Sequence, residues 1–124
     1  MNALVVCLCG STRFRAEIAE ANRRETMAGK IVLAPGVFGH CGDPLSEEDK
    51  LTLDLLHLAK IDMAHEVLVV NPGGYIGAST RREIEYATRT GKPVAYTHNA
   101  EGHGRAVART VQPLVGASGA AKNS

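Results

Sequence analysis

The sequence predicts a doubly wound α/β fold, a three-layer Rossmann-like or flavodoxin-like arrangement around a small parallel sheet of four to five strands. Three observations carry that expectation. Short, nearly continuous apolar runs alternate with helical patterns along residues 4–97. The runs carry too few polar positions for a sheet with one wet face, so both faces are expected to be covered. Two of them end on loops, "GSTR" and "NPGGYIGAST", that open directly into helices.

The first strand is "LVVCLC", residues 4–9, closed by Gly10. A helix is expected from Thr12 to Ala28, with Phe14, Ile18 and Ala21 as its apolar stripe and Gly29 as its end. "IVLAP" is a short second strand cut off at Pro35. The glycine-rich segment "GVFGHCGDPL", residues 36–45, reads as a long loop. Ser46 starts the next helix, with Glu47, Glu48 and Asp49 where the helix dipole favours acids, and "LTLDLLHLAKIDM" carries it to Met63. "EVLVVN" is the third strand, residues 79–90 a helix stopped by Gly91, and "PVAYT" the fourth strand. Beyond Thr97 a short helix over 105–111 is the remaining signal. One domain over residues 1–115 is expected, followed by a tail, 116–124, with too few apolar residues to pack.

At 124 residues the chain is long enough to bury a core without staples. A net charge of +1 offers no field to recruit a nucleic-acid polymer, and the absence of tryptophan argues against a base-stacking surface. The three cysteines, Cys7, Cys9 and Cys41, suggest reduced thiols in a cytoplasmic protein rather than a disulfide framework. "ALVVCLC" is too short to span a bilayer and has no basic segment before it, so neither a membrane span nor a secretory signal is expected. His40 and Cys41 adjoin without a second pair at ligand spacing, so no metal is expected.

In a parallel sheet with right-handed crossovers, the C-terminal ends of all strands share one edge, and ligands bind there where strand order reverses. "GSTR" and "NPGGYIGAST" both fall on that edge. Gly10 allows close backbone approach, Ser11 or Thr12 puts a hydroxyl at a helix N-terminus, and Arg13 supplies a guanidinium suited to phosphate oxygens. The alternative is that Ser11 caps the helix and Arg13 is merely solvated. "CGSTRF" lacks the further glycines of a dinucleotide fingerprint, and no Walker A sequence is present.

Glu83 has two readings. Thr80 to Glu83 fits a T-x-x-E capping box, and a first-turn carboxylate on this edge also points toward a ligand crevice. Glu85 and Arg89 form an ordinary i,i+4 pair. His57 and Asp62 lie on the same helix but not on quite the same face, and surface or capping roles suit them better than acid–base work. Tyr75 either stacks on a base or covers the glycines.

"CGSTR", "KIDMAHEVLVVNPGGYIG" and "STRREIEYA" together resemble the nucleoside 2-deoxyribosyltransferase-like superfamily, which includes the 2′-deoxynucleoside 5′-phosphate N-hydrolases. The resemblance spans about residues 4–97. It implies cleavage of an N-glycosidic bond through a glutamate that attacks C1′ and leaves a glycosyl-enzyme ester. The matching residue is Glu83, with Glu85 where the family's pattern has glycine. It maps 5′-phosphate binding onto Ser11, Thr12 and Arg13, with Ser79 as a further phosphate or sugar contact; Gly10, Gly74, Tyr75 and Gly77 in the same two loops complete the expected binding residues. Gly77 stands where the transferases carry an aspartate, and Asp62 is kept as a second catalytic candidate. "PGG" also resembles the phosphoribohydrolases that release cytokinin bases.

A nucleoside monophosphate substrate and no cofactor are thus expected. The alternatives are a non-catalytic nucleotide sensor and 2-deoxyribosyl transfer between bases. The leucines of the second helix exceed what one sheet can cover, which predicts a homodimer, as the resemblance also suggests.

Overall fold

The structure, a computed structural model, describes residues 2–36 and 45–98. The glycine-rich loop around His40 and Cys41, the helix expected over 105–111 and the C-terminal tail lie outside the described residues.

Seven regular elements follow one another as strand β1 (Val5–Cys9), helix α1 (Arg15–Met27), β2 (Ile31–Leu33), α2 (Glu47–Met63), β3 (Glu66–Val69), α3 (Ala78–Arg89) and β4 (Val94–Tyr96). All strand pairings are parallel, in the order β2-β1-β3-β4. The chain is therefore α/β with a small parallel sheet, as the alternating pattern predicts. β1 sits between β2 and β3, so chain direction across the sheet reverses there, and the crevice of a doubly wound sheet opens at the ends of β1 and β3.

Side chains alternate across a strand, and β1 divides its residues accordingly. Val6 and Leu8 pack with Ile18, Ala21 and Val70 on the α1 face, while Cys7 and Cys9 join Ile61, Ala64, Val67, Val69 and Ala87 beneath α2 and α3. Both faces are covered, which explains the uninterrupted apolar run.

Helix ends follow local chemistry. Gly29 and Gly91 adopt φ of +93° and +83° just beyond α1 and α3, the left-handed conformation that glycine tolerates. Ser46 and Asp49 form a reciprocal capping box at the start of α2. The first helix departs from expectation by opening with a 3-10 turn, Thr12–Phe14, before α1 proper.

α3 requires a larger correction. It begins at Ala78 behind an extended Gly77 that makes no side-chain cap, so Thr80 is a buried residue of the first turn. Glu83 consequently lies in the second turn, and the expected Thr80–Glu83 capping box is not formed.

Gly10 also has a packing role. A Cβ there would meet the Val70 carbonyl oxygen at 2.7 Å, so only glycine lets the ends of β1 and β3 come this close. Along α2, Ile61 is buried, whereas Leu51, Leu55, Leu56 and Met63 are each more than half exposed. Among the described residues, no helix is long and apolar enough to cross a membrane.

Candidate functional site

A cleft of about 600 Å³ opens at the C-terminal ends of β1 and β3, within the size range of small-molecule sites. β1 delivers Gly10, Ser11 and Thr12, and the β3–α3 loop delivers Tyr75 and Gly77. Ser79, Thr80, Arg82 and Glu83 enter from the first two turns of α3, and Lys50, Asp54 and His57 from α2. Two helical N-termini thus face one space. That of α3 has no side-chain cap, so its first-turn N–H groups remain available to an anion.

The floor of the cleft is built from side chains on three elements. Cys7 and Cys9, two apart on β1, point to the same face and are free thiols with no exposure. His57 is buried on α2, with Nε2 3.6 Å from Cys7 Sγ and 3.4 Å from Cys9 Sγ. Glu83 descends from α3 to bring Oε1 within 3.8 Å of the same nitrogen, its side chain 13% exposed. Cys7, Cys9 and His57 present donor atoms within 4.8 Å of one another, a set able to hold a metal ion.

The buried charges here act on one another. Burial pushes the Glu83 carboxyl above its ordinary value, and the neighbouring His57 charge only partly offsets this. Burial also works against a charged His57, but the Cys7 thiol and the Glu83 carboxylate outweigh it and hold the imidazole above its ordinary value. The Cys9 thiol stabilises a Cys7 thiolate, lowering Cys7, while the same pairing and burial raise Cys9. Charge is thus favoured on Cys7 and His57 together.

Among the residues singled out from the sequence, Gly10, Ser11, Thr12, Tyr75, Gly77, Ser79 and Glu83 line this one cleft. Arg13, Gly74 and Asp62 are not among its lining residues. The Arg13 guanidinium lies over the Tyr75 ring, 4.3 Å from its centroid, and donates to the Tyr75 hydroxyl at 3.3 Å. Phe14 meets that ring edge-on at 5.8 Å, so Arg13 braces an aromatic wall. Asp62 is exposed near the end of α2, where it accepts a 2.7 Å hydrogen bond from the Tyr86 hydroxyl. Gly77 has an ordinary extended backbone, but a Cβ would meet the Tyr75 hydroxyl at 3.2 Å. Glu85, which stands where the family's pattern has glycine, is exposed on α3.

Sequence reasoning placed His57 on the surface and passed over Arg82, Lys50 and Asp54. A signal for His57 was present, since it precedes Ile61 and Ala64 at four and seven residues, the spacing of the buried stripe. Thr80, Glu83 and Ala87, at three and seven residues, form the matching inward face of α3. Arg82 carries a cation to the cleft; it donates to Ser79 Oγ at 3.2 Å and lies 3.8 Å from Asp54. No protein-family model matches the chain, and no curated protein matches it.

Proposed function

We propose that this protein hydrolyses the N-glycosidic bond of a nucleoside 5′-monophosphate, with Glu83 as the nucleophile. The observation that carries the reading is Glu83 itself. It is a carboxylate released from any capping duty, largely buried at the floor of a cleft, with a histidine behind it. The likeness of "GSTR" and "STRREIEYA" to the nucleoside 2-deoxyribosyltransferase-like superfamily supports the same assignment.

In this reading a Glu83 oxygen attacks C1′, the C1′–N bond breaks toward the base, and the base takes up a proton. Water then cleaves the resulting glycosyl ester and regenerates the carboxylate. His57, behind Glu83, favours its ionised form and orients it. Asp54, which lines the cleft, replaces Asp62 as the second carboxyl group for the proton of the leaving base. The phosphate lies between the N-termini at Ser11–Thr12 and Ser79, with Arg82 as its guanidinium partner and Tyr75, braced by Arg13, against the base.

The exposed leucines of α2 fit a homodimer, and the free buried thiols fit a reducing, cytoplasmic setting. Incubation with a panel of ribo- and deoxyribonucleoside monophosphates, with free base resolved by chromatography, tests the activity. Release of base from at least one member supports it. Binding without release would make the cleft a sensor instead.

A further inference from the structure

We propose that Cys7 Sγ, Cys9 Sγ and His57 Nε2 form a binding site for a thiophilic divalent cation of the zinc class, with Glu83 Oε1 closing the fourth position from the cleft. The spacing of the donors is the first argument. Zinc bonds of about 2.3 Å to sulfur and about 2.0–2.1 Å to nitrogen place S and N about 3.5 Å apart across a tetrahedron. His57 Nε2 stands 3.6 Å from one sulfur and 3.4 Å from the other. The Glu83 carboxylate oxygen, 3.8 Å from Nε2, lies beside this three-donor cluster rather than within it, and takes the fourth position by swinging in toward the sulfurs.

Donor chemistry points the same way. Two thiols and one imidazole nitrogen converge in a buried space, where a cation can bind all three at once in place of the thiol protons. Two thiolates with an imidazole select zinc over magnesium or calcium, which prefer oxygen. Binding displaces the thiol protons to solvent, and the cleft bordered by His57 and Glu83 provides the entry path.

The site stands on its donors alone. Its consequence, that a bound ion occupies Glu83 and silences turnover, rests on the proposed function. The test uses the full chain, reduced and stripped with chelator, titrated with Co²⁺ as a spectroscopic substitute for Zn²⁺. The expected result is a thiolate-to-cobalt charge-transfer band that saturates at one equivalent, accompanied by intense tetrahedral visible bands and abolished by Zn²⁺. Cys41→Ser should retain the band, while Cys9→Ser and His57→Gln should weaken Co²⁺ binding by at least about tenfold. Absence of the band in the wild-type protein, or its loss in Cys41→Ser alone, overturns the proposal. Because both of those proteins keep the proposed donor set, the result does not depend on whether the ligand variants fold. A band without inhibition of base release would leave the metal site standing and contradict the role of Glu83.

Discussion

His57 on α2 and Glu83 on α3 approach to 3.8 Å, joining the two helices across the floor of the cleft. Each is nearly enclosed by protein, and each alters the charge of the other: the carboxylate favours a protonated imidazole, and the imidazolium favours an ionised carboxylate. The pairing offsets part of the burial that raises the Glu83 carboxyl.

Replacing Glu83 by glutamine should leave the fold intact, because no cap is lost and the isosteric amide fills the same space. The carboxyl is raised above its ordinary value, so its contribution to stability is present below that value, about 4.3, and disappears as pH rises through the raised one. Thermal melts should therefore show Glu83→Gln equal to or more stable than wild type at pH 7. Its relative advantage should shrink on acidification. A variant markedly less stable at pH 7 would mean that Glu83 serves the fold.

His57→Gln removes the charge that favours an ionised Glu83. The acidic limb of kcat/KM for base release should then move to higher pH, since the carboxylate loses its partner while its burial persists. An unchanged limb with uniformly lower turnover would reduce His57 to a packing residue.

Arg82 and Arg13 should separate in binding experiments. Arg82→Ala should weaken monophosphate affinity by about 1.5–3 kcal/mol while leaving the corresponding nucleoside unaffected, as expected for loss of a charge-assisted phosphate contact. Arg13→Ala should affect both ligands alike, because it loosens Tyr75 rather than releasing a phosphate. Calorimetry showing the reverse order would return the phosphate to the first loop.

The exposed side chains of Leu51, Leu55 and Leu56 on α2 predict self-association. Light scattering should report a dimer at micromolar concentration, and Leu55→Glu should yield a folded monomer. A wild-type protein that remains monomeric would show that this face is not an interface between copies.

Element order and sheet class were legible because strands buried on both faces read as apolar runs, and Gly29 and Gly91 end helices through their own backbone freedom. The meeting of "GSTR" and "NPGGYIGAST" in one cleft followed from the same topology. The start of α3 was read to within one residue, but its cap was not, because Thr80 to Glu83 satisfies a local rule that an extended Gly77 pre-empts three residues earlier. Nor was the cluster beneath the cleft. Cys7 and Cys9 meet His57 only because odd-numbered residues of β1 face α2, a long-range consequence of strand alternation. Arg13 and Arg82 look equivalent in sequence; an aromatic neighbour engages the first and leaves the second beside Ser79.

The identity of the nucleophile is tested most directly by trapping its ester. The protein is mixed with a cleavable nucleoside monophosphate, quenched in acid during turnover, digested with trypsin and examined by mass spectrometry. The peptide released after Arg82 begins at Glu83, and fragmentation distinguishes Glu83 from Glu85 within it. A sugar-phosphate adduct on Glu83, absent from Glu83→Gln together with base release, is the predicted result. Base release that persists undiminished in Glu83→Gln, or an adduct on another residue, would contradict it.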